Sequence, residues 1–408
     1  MREFKEIKAD LRGEIMSRID FSKDVSDEEV EELIDEIILR KSKVEFFTLE
    51  DKVSLRQDLF YSIRKLDILQ ELVDDNSVTE IMVNGIDSIF IEKAGSLMKW
   101  DKTFESEEKL QDVIQQIVAK SNRVVNESSP IVDARLSNGS RVNVVLNPVA
   151  LNGPILTIRR FPEKPIEMDD LIKFGAISEE AVDFLKKLVL CGYNIFISGG
   201  TGSGKTTFLN ALSNFIPPDQ RVITIEDSAE LQIRKIPNIV KMETRNANVE
   251  GCAEITIRDL IKSSLRMRPD RIIVGEVRGA EALELLSAMN TGHDGSLSTG
   301  HANSSEDMLN RLETMILMGI DLPLNAIRRQ LASGIDIIVH LGRLRDKSRK
   351  VLEISEIVGM DGDNILVQPI YKFIETNYGS NKVTGTLSRI GNLKNTDKWL
   401  KGGLLIEN

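Results

Sequence analysis

The run Asn194-Ile195-Phe196-Ile197-Ser198-Gly199-Gly200-Thr201-Gly202-Ser203-Gly204-Lys205-Thr206-Thr207 leads from an apolar strand through a G-x-x-x-x-G-K-T loop into a helix. Glycines at 199, 200, 202 and 204 let backbone curl close around a phosphate chain and turn its N–H groups inward. The positive end of the following helix adds to that field. Gly199 to Thr207, with Thr201 and Ser203 among them, is therefore the expected nucleotide-binding stretch. Lys205 is expected on the β and γ phosphates and the Thr206 hydroxyl on Mg²⁺. A glycine-rich turn that merely happens to contain Lys would not have both a strand before it and a helix after it. No guanine-reading N-K-x-D occurs, so ATP is the expected nucleotide.

Carboxylates follow at two further strand ends. Arg271-Ile272-Ile273-Val274-Gly275 ends in Glu276; on a strand expected beside the phosphate loop, this acid would meet Mg²⁺ or its waters. Val222 to Ile225 ends in Glu226-Asp227-Ser228-Ala229-Glu230. Carboxylates near a triphosphate can orient water, take its proton or bind metal, and their mutual repulsion calls for a nearby cation. Glu226 is the leading candidate, with Asp227 and Glu230 as alternatives to one another.

Two of three histidines, His293 and His301, fall in Thr291-Gly292-His293-Asp294-Gly295-Ser296-Leu297-Ser298-Thr299-Gly300-His301-Ala302. The pair lacks the ligand count of a zinc site. An imidazole that donates to the γ phosphate, and loses that bond on hydrolysis, would report the nucleotide state. His301 is read in that role, His293 stays open between that role and a core histidine, and His340, inside the apolar run Ile335 to Leu341, reads as structural. Arg159 and Arg160 close another strand, and Lys262 with Arg266 are spaced i, i+4 on a helix. Guanidinium groups can stabilise a transferring phosphoryl group, often from a neighbouring subunit, although surface arginines are commonly just solvated.

The elements that must position these groups read as follows. Residues 1 to 75 are helical and charged. Ser26 and Glu29 form a capping box ahead of Val30, Leu33, Ile34, Ile37 and Ile38, and a second helix after Thr48 carries Leu59, Phe60, Ile63, Leu66, Leu69 and Leu72 inward. Residues 76 to 163 read as α+β, with a hairpin turning at Asn84-Gly85, a helix through Leu110 to Val118, and strands at Ile131 to Leu136, Val142 to Leu146 and Ile155 to Phe161. Pro162, Pro165, Glu167, Asp169 and Asp170 suggest a linker over 164–178. From 179 to 375, strands at 194–198, 222–225, 271–277 and 335–341 alternate with helices, which implies a mainly parallel sheet covered on both faces. Residues 376 to 408 read as a tail.

Composition bounds the partners. At ~150 residues per domain, 408 residues make two or three domains. With 53 Lys plus Arg against 64 Asp plus Glu, the net charge of -11 argues against a main affinity for nucleic-acid backbone. Met1-Arg2-Glu3-Phe4-Lys5-Glu6 has no apolar signal core, and no apolar run approaches the ~20 residues that span a bilayer, so the cytosol is expected. Cys191 and Cys252 are far apart, which suggests small apolar residues rather than a disulfide or thiolate zinc site.

The constellation resembles the secretion and type IV pilus assembly ATPases, and within them the tight-adherence pilus motors called CpaF, over about Leu66 to Phe373. The phosphate loop matches their Walker A, Ile225-Glu226-Asp227-x-x-Glu230 their Asp box, Leu265 to Arg278 their Walker B region, and Thr291-Gly292-His293 through His301-Ala302-Asn303 their His box. Thr157-Ile158-Arg159-Arg160 is similar to the arginine-bearing end of their N-terminal domain. The resemblance implies an α/β fold: a RecA-like motor domain preceded by a smaller, mobile α+β (PAS-like) domain, with ATP between the two, in a homohexameric ring. Catalytic roles would fall to Glu276, Glu226, Asp227, Glu230, His301 and Arg266; Arg159, Arg160 and His293 would join the phosphate loop in nucleotide binding, and Thr206 and Glu276 would hold Mg²⁺. Hydrolysis would turn a platform in the inner membrane, with the ring peripheral at its cytoplasmic face. Lys262 stands where relatives carry Arg, and two distant cysteines exclude the tetracysteine zinc module of type II secretion relatives. The rival classes are a RecA-like nucleic-acid translocase, which needs a basic channel with stacking aromatics that four Tyr and two Trp poorly supply, and a nucleotide-gated scaffold that does not hydrolyse.

Overall fold

In the computed structural model, which describes residues 4–20, 22–93, 95–121, 123–160, 164–245, 253–377 and 381–404, the chain divides into two units, Met1–Glu163 and Lys164–Asn408. Phe161, Pro162 and Cys252 lie outside the described residues. The first unit opens with α1 (Phe4–Arg18), α2 (Asp27–Lys41) and α3 (Leu49–Arg64). Ser26 and Glu29 cap α2 reciprocally, each side chain accepting from the other's backbone N–H at 3.2 and 2.8 Å, and Thr48 with Asp51 repeats the device on α3. The apolar stripes meet in one core that includes Leu11, Ile15, Ile34, Ile37, Leu55 and Leu59. The second helix is shorter than its periodicity suggests. Lys65 is extended and Asp67 takes a φ of 51°, so Leu69 and Leu72 belong to a separate α4 (Leu69–Asp74). Periodicity counts apolar residues and does not register a backbone reversal between them.

The same unit continues with β1 (Val78–Asn84), β2 (Ile89–Lys93), β3 (Ser96–Lys99), α5 (Glu107–Lys120), β4 (Ile131–Arg135), β5 (Arg141–Val145) and β6 (Ile155–Arg159). The strands form an antiparallel sheet in the order β3-β2-β1-β6-β5-β4. Leu110, Val113, Ile114 and Ile117 of α5 pack on Ile81, Val83, Leu156 and Ile158 in a core separate from that of α1 to α3.

The second unit runs through α6 (Met168–Lys173), α7 (Glu179–Leu190), β7 (Ile195–Gly199), α8 (Lys205–Ser213), β8 (Val222–Glu226), β9 (Ile239–Glu243), α9 (Ile257–Ser264), β10 (Arg271–Val274), α10 (Ala282–Asn290), β11 (Leu297–Gly300), α11 (Ser305–Gly319), α12 (Leu324–Gly334), β12 (Ile337–Arg343), β13 (Arg349–Asp361), β14 (Asn364–Glu375), β15 (Gly385–Arg389) and α13 (Asp397–Lys401). The sheet order is β15-β14-β13-β12-β7-β11-β10-β8-β9, parallel from β12 to β9 and antiparallel from β12 to β15. Successive side chains of β7 serve opposite faces. Ile195 and Ile197 pack with Leu185, Leu188, Leu209 and Leu212 of α7 and α8, while Phe196 packs with Leu285, Met308 and Leu331 of α10 to α12.

Two segments depart from expectation. Residues 164–178, read as a linker, contain α6 and bury Met168 and Ile177 in the core of the second unit. Residues 376–408, read as a tail, add β15 to the sheet and return along its N-terminal edge. Buried Glu356 accepts the N–H groups of Lys394 and Asn395 at 2.8 and 2.6 Å, Tyr193 Oη donates to Asn395 O at 2.7 Å, and Lys398 Nζ lies 2.7 Å from both Asp294 and Asp336. Trp399 then fills the core, its ring 6.1 Å from that of Phe184. These anchors come from residues spread over two hundred positions, so local pattern does not reveal them. Trp399→Ala is expected to lower the unfolding free energy by about 3 kcal/mol, read as a lower denaturant midpoint for the second unit; an unchanged midpoint would make the segment an ornament.

Candidate active site

The phosphate loop hangs from β7, whose Ile195, Phe196 and Ile197 are buried on both faces. A Cβ on Gly199 would stand 2.5 Å from Leu341 O of β12 and 2.6 Å from Ser203 Oγ, so no side chain fits there. Gly202 and Gly204 take φ of 71° and 95°, in the left-handed region. Ser203 Oγ and Lys205 Nζ both donate to Gly200 O, at 2.9 and 3.0 Å, and draw the loop into a ring. Gly204 is the N-cap of α8 and brings no capping side chain, so the first N–H groups of this nine-residue helix stay available to an anion. Thr206 and Thr207, half-buried, begin that helix.

Glu276 does not lie on the strand next to β7, as expected. β11 stands between β7 and β10. Its sequence, Leu297-Ser298-Thr299-Gly300, carries little apolar signal because Ser298 and Thr299 turn their hydroxyls onto Val274 O at the end of β10 and Gly275 O just after it, at 2.9 and 2.8 Å. The inserted strand delivers His301 between the lysine and the acid. His301 Nδ1 lies 3.3 Å from Lys205 Nζ, and Nε2 lies 2.7 Å from Glu276 Oε1. An ammonium can only donate, so Nδ1 is assigned as the acceptor and Nε2 as the N–H. That N–H is out of line with Oε1, which is left buried without a hydrogen-bond partner. Burial, and next the Lys205 cation, hold His301 below the usual histidine range against the pull of Glu276, while burial also lowers Lys205.

Glu276 Oε2 accepts from Arg278 Nε and Nη2 at 2.9 and 2.5 Å, and Arg278 Nη1 lies 3.7 Å from Asp227. Arg278 falls in the Walker B stretch, but an exposed arginine two residues past a strand carries no signal that marks it out. Glu226 Oε1 accepts the N–H groups of Glu230 and Leu231 at 2.8 and 3.0 Å, while its Oε2 is buried without a partner. Burial pushes Glu226 up to about 7. Gly275 makes room for it, since a Cβ there would sit 2.9 Å from Glu226 Cγ. Asp227 is exposed and Glu230 half-buried on the same turn.

Other candidates of the second unit are not gathered here. His293 precedes β11 and Arg266 precedes β10, so both lie at the N-terminal edge of the parallel strands, opposite the loop. His293 Nδ1 is spent near Ala288 O at 3.2 Å, and Arg266 is exposed in the turn after α9. Spacing in sequence hid this because the four-residue β11 carries the chain from one edge to the other between the two histidines. Lys262 lies 3.6 Å from Glu284. Arg159 and Arg160 belong to the first unit, where exposed Arg159 lies 3.6 Å from Glu80 and Arg160 donates to Asp75 O, to Val78 O at 3.1 Å and to Asn76 Oδ1 at 2.8 Å. His340 is buried and bonded to Ser198 Oγ at 2.8 Å, a structural histidine. Cys191 is half-buried beside Trp399.

Among the described residues no group of three or more His, Cys, Asp or Glu could by itself hold a metal. A divalent cation would instead share oxygen donors between protein and phosphate. The Thr206 hydroxyl and the unpartnered Glu276 Oε1 are donors of the right hardness.

A buried strand, a phosphate loop with its lysine, and acids at the ends of β10 and β8 define a P-loop nucleoside triphosphatase. The family described as Type II/IV secretion system protein matches residues 63–386, and the chain belongs to it. A putative conjugal transfer protein of Mycobacterium tuberculosis is 35% identical over 301 residues, covering 72% of this chain and 85% of the relative. The type IV secretion system protein VirB11 of Bartonella henselae is 31% identical over 332 residues, 72% of this chain and 92% of the relative. The X-ray structure of the Legionella pneumophila ATPase DotB, 22% identical, covers 71% of this chain and 79% of its own at a TM-score of 0.51, a likeness of fold.

Glu226 also sets a pH dependence. Its folded value of about 7 exceeds the ordinary 4.5, so the native state keeps a proton that the unfolded chain has released between those limits. Stability therefore falls as pH rises through that window, and the whole cost is present above it. Glu226→Gln, neutral throughout, is expected to raise the unfolding free energy at pH 8 by on the order of 2 kcal/mol and to change little at pH 4. Denaturant titrations at both pH values check this; equal gains at the two would contradict it.

Proposed function

We propose that this ATPase is the hexameric motor of a pilus-assembly or secretion machine, of the CpaF-like tight-adherence kind. It would work at the cytoplasmic face of the inner membrane on platform proteins embedded there. The observation that carries the reading is His301, held between the phosphate-loop lysine and the Walker B acid. A γ phosphate seated against Lys205 would come within reach of the imidazole N–H, and its departure would free that N–H for Glu276. The motif set and the family membership support the rest. Among the described residues no helix is long and apolar enough to cross a membrane, which accords with a peripheral attachment.

In this mechanism ATP is the substrate, and Thr206 and Glu276 would hold Mg²⁺, which would supply charge neutralisation on the phosphates. Water attacks the γ phosphorus as the bond to the β-bridging oxygen breaks, and its proton passes to a carboxylate. Glu226 is proposed as that acceptor, because its Oε2 is unpartnered and its affinity for a proton is matched to neutral pH. Glu230 lends Glu226 a backbone N–H, and Asp227 holds Arg278, which must release Glu276 Oε2 before that acid is fully available. Arg159 is proposed as a phosphate ligand, whereas Arg160 is committed to backbone carbonyls and the Asn76 side chain of its own unit. Arg266 and His293 could act on a nucleotide only from an adjoining subunit.

The tests are direct. Lys205→Ala is expected to abolish ATP binding by calorimetry, and Glu276→Gln to bind ATP while losing 10²-fold or more, roughly, in phosphate release. Native mass spectrometry with a non-hydrolysable ATP analogue should find six copies. A nucleic-acid translocase would instead show ATP turnover that climbs steeply with single-stranded DNA; no finding on family or relatives favours that rival.

A further inference from the structure

The antiparallel hairpin of β12 and β13 brings a second set of cations to the phosphate loop. β12 runs parallel to β7 with Leu341 opposite Gly199, so the hairpin turn projects past the loop's first glycine. Arg343 and Arg349 are directly opposite one another in the hairpin, which puts both side chains on one face. Arg349 Nε donates to Gly202 O at 3.0 Å, and its Cδ lies 3.6 Å from where a Cβ on Gly204 would be. Arg343 Nη1 lies 3.7 Å from the corresponding point on Gly202. Both side chains are exposed, and among the described residues neither is paired with an acid, whereas Arg345 between them pairs with Glu375. Two unpaired guanidinium groups thus converge on a loop that already carries Lys205 and a helix N-terminus. Such a concentration of positive charge is unfavourable until an anion occupies it.

Sheet order decides which part of the anion they meet. His301 and Glu276 follow β11 and β10 on one side of β7, and these are the groups proposed above to meet the γ phosphate; β12 is on the other side. We propose that Arg343 and Arg349 bind the α,β-diphosphate common to ATP and ADP, from within the same chain. This rests on the phosphate loop being the nucleotide site. Guanidinium forks suit phosphate oxygens, and a charge-assisted hydrogen bond is about twice as strong as a neutral one. The pair would therefore hold product as firmly as substrate and leave recognition of the γ phosphate to His301.

Calorimetry of Arg343→Gln and Arg349→Gln with Mg²⁺–ADP and with a Mg²⁺-bound non-hydrolysable ATP analogue tests this, with wild type and Lys205→Ala as references. Each variant is expected to weaken both ligands by about tenfold or more and to keep their ratio as in wild type. Arg343 makes no hydrogen bond to the loop among the described residues, so its effect on ADP separates direct contact from mere support of loop shape. Wild-type affinity for ADP in both variants overturns the proposal, as does a loss confined to the ATP analogue. If wild type itself binds neither ligand, the phosphate loop is not the nucleotide site and the broader reading fails with it.

Discussion

The separation of β7 from β10 by a single buried strand is the constraint on which the site depends. Adjacent strands stand about 4.8 Å apart, so one intervening strand places the phosphate loop and the Glu276 turn about 10 Å from one another. That gap suits a phosphoryl group with its attacking water, and His301 rather than a direct ion pair bridges Lys205 and Glu276 across it. β11 can occupy the interval because Ser298 and Thr299 satisfy β10 carbonyls without adding bulk. A strand of large apolar residues would fill the same space and give no exit for His301 toward the loop.

Around this gap the polar groups are poised and incompletely satisfied. Glu226 and Glu276 each leave one buried carboxylate oxygen unpartnered, an unfavourable state that water, cation or phosphate can relieve. The cations sit on both flanks, with Lys205 and Arg278 toward the acids and Arg343 and Arg349 toward β12. Because unlike charges here are divided among separate strand ends, a change of ligand can redistribute them without unfolding anything. Arg278 is the clearest case: it ties Glu276 to the Asp227 turn, so movement at one acid is felt at the other.

Much of this was legible in the residues themselves. The phosphate loop and the acids at two strand ends each combine a fixed spacing with a hydrophobic strand that announces where the turn must fall, whereas His301 stands out by residue type alone, since β11 carries little apolar signal. The Ser26–Glu29 cap was equally readable from its spacing, while the Thr48–Asp51 cap emerged only in the structure. The break at Lys65 and the anchoring of Trp399 were not, since the one depends on a backbone angle that no pattern encodes and the other on partners distant in sequence.

The sequence by itself determined which chemistry is possible: glycines where backbone must approach phosphate, a lysine to meet it, and carboxylates and an imidazole at the ends of strands. Tertiary structure alone decided which of those groups meet. It set β11 between β7 and β10, left His293 and Arg266 on the far edge, and brought Arg343 and Arg349 to the loop. The physical reason is that strand order arises from packing two faces of a sheet at once, a competition among all the apolar surfaces of the unit that no local spacing records.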